Sequence, residues 1–216
     1  MKVTHIGLLG SLIGLFCALP GFASSICNGV TDNLVLNCGF ETGGFTDWTM
    51  TPAASGSDFA ITSNSPNSGT YDARFGASAG ENDYIDQILG TTAGGTYDIS
   101  FYVNSSVNGG VSSNGEFVAN WNGVNILTVT GSSSTPSCSG PDSAGYDLCS
   151  FVETATSSST ELQFGGNTGD SYYHLDDVVV TQAATSTVPE PSSIPFAAAG
   201  LFGILMLGRR YTNSAV

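Results

Sequence analysis

Seventeen carboxylates, one arginine and one histidine populate residues 24–187, and that inventory restricts the chemistry open to them. A nucleophilic relay would have to be built on His174, the only histidine of the stretch, and no Gly-x-Ser-x-Gly occurs. His174 reads instead as a strand residue facing solvent or a neighbour. With no lysine, a phosphate-cradling Gly-x-x-x-x-Gly-Lys loop is impossible. Carboxylate pairs can hydrolyse glycosidic bonds, but none of these acids carries a local signature of that use. Glu81, Asp83 and Asp86 crowd one stretch without EF-hand spacing, and with Asp142 and Asp147 they read as solvated acids. Planar aromatics remain. Trp121, Tyr102 and Tyr172 are candidates for stacking on the apolar CH faces of sugar rings, with packing into a core as the alternative for each.

The whole chain has 216 residues with 18 acids and 4 bases, and the bases are Lys2, Arg74, Arg209 and Arg210. Between residues 24 and 187, seventeen acids against Arg74 alone leave −16. Such a surface repels phosphate backbones, so nucleic acid is excluded as a partner. It attracts cations, calcium among them, and solubility alone is the other reading.

Four cysteines follow the first twenty residues: Cys27, Cys38, Cys138 and Cys149. Both neighbouring pairs are eleven residues apart. Four cysteines allow three connectivities, and the local one, Cys27 with Cys38 and Cys138 with Cys149, is expected. Each short loop so closed contributes about 2–3 kcal/mol on the chain-entropy model. Zinc is not expected, since no Cys-x-x-Cys occurs.

The elements that must position these groups read as strands. "TYDISFYV", 96–103, alternates Tyr97, Ile99, Phe101 and Val103 with polar neighbours, giving one buried face. "GEFVANWNGVNILTVTG", 115–131, is a hairpin around Asn122-Gly123, a pair suited to positive φ. Further strands are expected at 33–37, 45–50, 58–62, 71–75, 84–89, 149–154, 160–164 and 172–180, with long loops at 104–114 and 131–148. Some ten short strands with no amphipathic helix predict an all-β antiparallel sandwich over 24–180. Residues 181–187, small and polar, read as a linker.

Both ends differ from this middle. "MKVTHIGLLGSLIGLFCALPGFASS" has an early Lys2, an apolar run and small residues at 21 and 23, the pattern of a signal peptide, 1–23, cut after Ala23. Near the other end, residues 194–208 carry no charge, and Arg209 and Arg210 follow. As a helix this run spans about 22 Å against a bilayer core of about 30 Å. Snorkelling arginines and local thinning make up the difference and leave residues 212–216 cytoplasmic.

Val188, Pro189, Glu190, Pro191, the apolar helix, and then Arg209 and Arg210 together resemble the PEP-CTERM sorting signal. The resemblance implies an exosortase as partner and a transient inner-membrane intermediate. It further implies delivery to the outer surface or extracellular matrix of a Gram-negative bacterium that makes extracellular polysaccharide. In the middle, "NLVLNCGFETGGFTDW", 33–48, and "YYHLDDVVVT", 172–181, resemble the first and last strands of galactose-binding-like jelly rolls, including carbohydrate-binding modules. That likeness implies a jelly roll with Trp48 in its core. It also implies a structural calcium where the two strands meet, at Glu41 with Asp176 or Asp177; a solvated rim with a hydrogen-bonded aspartate is the alternative. Calcium takes six to eight oxygens, part of which these carboxylates could supply. The function expected is that of a non-catalytic surface or matrix protein associating with polysaccharide. A secreted glycan hydrolase and a purely structural or adhesive protein are the competing readings.

Overall fold

A computed structural model describes residues 24–78, 80–104, 115–130, 138–139, 142, 145–168 and 171–184. The chain divides between Ala183 and Ala184 into two compact units, and the second lies, but for Ala184, outside the described residues. The sorting signal and its apolar helix, 188–211, and the signal peptide, 1–23, are therefore outside them as well.

After a 3-10 turn at Ile26–Gly29 the first unit is built of strands. They are β1 (Thr49–Thr51), β2 (Phe59–Thr62), β3 (Asp72–Phe75), β4 (Asp83–Gly90) and β5 (Thr96–Asn104). β6 (Glu116–Trp121), β7 (Val124–Thr130), β8 (Asp147–Thr154), β9 (Ser159–Asn167) and β10 (Tyr173–Gln182) complete them. One sheet runs β1-β4-β9-β6-β7 and the other β2-β3-β10-β5-β8. Every ladder between these strands is antiparallel. The all-β two-sheet sandwich is the architecture that the strand pattern predicts.

Alternation places the core. Tyr97, Ile99, Phe101 and Val103 of β5 are buried, as are Phe117, Ala119 and Trp121 of β6 and Leu162 and Phe164 of β9. Phe101 meets Phe164 edge-on at 4.9 Å between ring centroids, and Phe75 meets Phe117 at 5.9 Å. Aromatic contacts of this kind add about 0.5–1.5 kcal/mol each beyond the area they bury. Asn122 and Gly123, at φ 51° and 75°, make the tight turn between β6 and β7.

The first expected strand, 33–37, is not one. The segment runs beside β10, where the Leu34 N–H donates to the Val180 carbonyl and the Val178 N–H to the Cys38 carbonyl, but between these two bonds the Asn33 side chain takes the place of a regular ladder. Its Oδ1 accepts from the N–H groups of Val180 and Val35, and its Nδ2 donates to the Val178 carbonyl. Asn37 then turns at φ 48°. An asparagine that bonds to backbone on both sides competes with regular pairing. At the far end β10 continues through Gln182, two residues into the stretch read as linker, because Thr181 and Gln182 pair with Asp98 and Tyr97.

Candidate functional site

The five-stranded sheet that contains β9 exposes an outward face, and one row of residues crosses all of it. Thr49 lies opposite Asp86, Asp86 opposite Gln163, Gln163 opposite Asn120, and Asn120 opposite Asn125. Their sequence neighbours Ile85, Leu162, Phe164, Ala119 and Trp121 are buried in the core, so alternation turns the row outward. Its central members are half-buried and its ends exposed. With strands spaced about 4.8 Å apart, the row is about 19 Å long.

The row is internally ordered. Asn120 Nδ2 donates to Gln163 Oε1 at 3.0 Å, and Asn125 Nδ2 donates to Asn120 Oδ1 at 3.2 Å. The Asp86 carboxyl is held above its ordinary value by partial desolvation, a rise opposed by its side-chain hydrogen bond with Thr49.

Two residues along the strands, a second row runs Thr51, Tyr84, Gly165, Val118 and Thr128. Gly165 is what lets Tyr84 lie down. A Cβ at Gly165 would sit 2.4 Å from two carbons of the Tyr84 ring, so the ring rests against the sheet only because that Cβ is missing. Asn82 Nδ2 donates to the Tyr84 hydroxyl at 3.2 Å and to Glu116 Oε1 at 2.9 Å, fixing ring and carboxylate side by side. A half-buried planar ring beside amides is the combination that suits a sugar: a flat face for CH groups, with donors and acceptors at its edge.

The outward face of the other sheet is divided. At one end Asp72, His174 and Asp176 are almost fully buried. Residues of 65–71 and Tyr146 lie over them, with the Tyr146 hydroxyl donating to the Ser65 carbonyl at 2.7 Å. His174 Nδ1 is hydrogen-bonded to Asp72 Oδ2, so the histidine is a buried, paired strand residue. Toward the other end lies a depression of about 350 Å³ lined by Asp98, Ser100, Ser150, Val152, Val179 and Thr181.

The acids proposed for calcium gather around one loop. Glu41 accepts from the N–H groups of Thr70, at 2.9 and 3.0 Å, and Tyr71, at 3.1 Å. Asp176 accepts from the N–H groups of Asn67, Ser68 and Asp177. Asp177 sits at φ 52° in a bulge of β10, which aims it at the N-terminal segment. It accepts from Ser25 Oγ, the Cys27 N–H, Asn67 Nδ2 and Ser68 Oγ. A calcium shell needs oxygens converging on the ion, whereas here N–H and O–H donors converge on the carboxylates. The set does not fit calcium in this arrangement; it is a clasp on residues 67–71. Among the described residues no group of three or more His, Cys, Asp or Glu side chains is placed to hold a metal. Burial, and then the charge of Asp177, push the Asp176 carboxyl up to about 8 against the lowering effect of its backbone donors. Burial and the nearby charges of Asp72, Asp176, Asp177 and Asp142 raise the Tyr146 hydroxyl above its ordinary range.

The aromatic candidates do not form one site. Trp121 is 3% exposed, packs on Tyr97 at 5.9 Å and donates its indole N–H to the Thr154 carbonyl. Of the two readings open for it, stacking on a sugar or packing in the core, the inward parity of β6 decides for the core. Tyr102 is half-buried on the second sheet between Asp176 and Leu148. Tyr172 lies beneath the Arg74 guanidinium, 4.2 Å from the ring centroid, and donates its hydroxyl to Asp58. Trp48 is core, 6% exposed. Both disulfides form as the cysteine spacing predicts, Cys27–Cys38 and Cys138–Cys149. The amide row escaped sequence reasoning; its only signal was that Asn120 and Gln163 each sit between apolar residues within a strand.

No protein-family model matches the chain, and no curated protein does. Solved structures do. The enzymatically active domain of tailspike protein 4 of bacteriophage CBA120 has a TM-score of 0.51 at 11% identity, over 70% of this chain and 22% of its own. The carbohydrate-binding module TmCBM61, solved with β-1,4-galactotriose, has a TM-score of 0.49 at 14% identity over 70% of this chain and 99% of the module. A family 35 carbohydrate-binding module from Clostridium thermocellum has a TM-score of 0.43 at 14% identity over 65% of this chain and 95% of the module. The structural neighbours include several such modules, and the likeness to the tailspike domain, at 11% identity, is one of fold.

Proposed function

We propose that the chain is an exported, non-catalytic protein of the cell surface or extracellular matrix, and that it associates with polysaccharide through the outward face carrying Asp86, Gln163 and Asn120. The observation that carries this reading is the unbroken row of five hydrogen-bonding side chains across five strands, with Tyr84 lying flat beside it. A row perpendicular to the strands suits an extended chain of repeating hydroxylated units, and a preformed face loses little entropy on binding. Delivery rests on the sequence signals at both ends, read as a signal peptide and an exosortase substrate. Affinity electrophoresis of the purified chain through polysaccharide-containing gels tests the surface. Retardation that disappears in Tyr84→Ala and Gln163→Ala supports it, and unchanged retardation in both variants refutes it. Fractionating cells with and without the exosortase, then measuring the C-terminal mass of the protein, tests the destination; an identical location and mass in both would refute sorting.

A further inference from the structure

Resting on that reading of the surface, we infer that the polysaccharide it takes is uncharged, and that polyuronates and sulfated chains are refused. The amide row and its flanks carry Asp86, Glu116 and Glu161, and the five strands of this sheet contain no lysine, arginine or histidine. That arrangement follows from where the cations went. Arg74 and His174 are the only basic residue and the only histidine between 24 and 187, and they stand on β3 and β10 of the other sheet.

Neither is spare. The Arg74 guanidinium is 3.3 Å from Asp58 and stacked over Tyr172, while His174 is 3% exposed and bonded to Asp72. Any anionic unit seated on Gln163 would lie about one strand spacing, 4.8 Å, from Asp86. That is well inside the screening length of about 8 Å at physiological salt.

Hydrogen-bond chemistry points the same way. Carboxylates only accept, so Glu161 and the lone pairs left on Asp86 beside its Thr49 bond and on Glu116 beside its Asn82 bond ask for donors. Gln163 Oε1 already accepts from Asn120, which leaves the Gln163 N–H groups for a ligand oxygen. A sugar hydroxyl donates and accepts, and satisfies both kinds of neighbour. A uronate carboxylate or a sulfate only accepts, and leaves the acids unanswered and repelled.

The test is affinity electrophoresis of the full chain against neutral polysaccharides (galactan, xylan, xyloglucan, glucomannan) and against polygalacturonate, alginate and a sulfated galactan. EDTA is present so that no divalent ion bridges acid to acid, and each gel is run at low and high salt. The expected result is a neutral polysaccharide bound at least tenfold more tightly than any anionic one at low salt, with little change at high salt. An anionic chain bound as well as or better than the neutral ones would overturn the charge inference and leave the surface reading standing. Retardation by none of them would overturn the surface reading, and this inference with it.

Discussion

The outward faces of the two sheets are made of similar residues put to opposite use. On the sheet holding β9, Asp86, Gln163, Asn120 and Tyr84 keep contact with solvent. On the sheet holding β10, Asp72, His174 and Asp176 occupy equivalent alternating positions but are sealed beneath residues 65–71 and Tyr146. Covering changes what a polar side chain does. An exposed amide can exchange water for a ligand at little cost, whereas a buried carboxylate must keep its protein donors or lose the energy of desolvation. The first face is therefore suited to binding, and the second, at its covered end, to holding loops.

Substitutions should separate the two faces. The largest effect on stability is expected for Asp177→Ala, which strands the Cys27 N–H and the side chains of Ser25, Asn67 and Ser68. Bonds to a charged group contribute about 1.5–3 kcal/mol each, so a loss of about 3 kcal/mol or more should appear in urea unfolding. A loss under about 1 kcal/mol would mean that the clasp is not what holds residues 67–71. Removing Cys27–Cys38 by the double serine substitution should lower stability by about 2–4 kcal/mol in the same measurement, since the bridge ties the segment that Asp177 also holds.

A pH series sharpens the contrast further. The folded-state value of Asp176, about 8, lies above the ordinary carboxylate range near 4. The neutral form is thus favoured on folding, and the stability it contributes is complete below about pH 4 and is lost as pH rises through about 8. The melting temperature should fall between pH 5 and pH 9 in the native chain, and Asp176→Asn should flatten that slope. An unchanged slope in the variant would remove Asp176 as its cause. The smallest change in stability belongs to the open face. Gln163→Ala and Tyr84→Ala should shift unfolding by less than about 1 kcal/mol while weakening polysaccharide binding at least fivefold. If they unfolded the protein as Asp177→Ala does, the contrast between the faces would collapse.

Local features of this fold were legible wherever the cause was local. Asn122-Gly123 makes its turn because the two residues tolerate positive φ. The two disulfides close because eleven residues bring each pair together cheaply. The alternation of β5 buries Tyr97, Ile99, Phe101 and Val103 as written. Features that depended on a neighbour were not legible. Asn33 has the surroundings of a strand residue, but it bonds to β10, nearly 150 residues away, and ends the regular pairing there. Trp121 was open to stacking or to packing, and the sheet that β6 joins, with Tyr97 against its ring, makes it core. Glu41, Asp176 and Asp177 each bond to residues 67–71. What met them could not be read, because the N–H groups of residues 67–71 come from a third place in the chain.

The sequence by itself determined that the middle of the chain is a β-sandwich, that its cysteines pair locally, and that its charge is negative with a single arginine. These follow from periodicity, spacing and count, which need no partner. Only the tertiary structure decided that Thr49, Asp86, Gln163, Asn120 and Asn125 form one row. They are spread over more than a hundred positions, and the register of four separate ladders aligns them. It alone decided, too, that the one arginine and the one histidine stand on the other sheet. A strand's own pattern says which side chains share a face, but which strands lie side by side is settled by long-range pairing and by the packing of the core between the sheets.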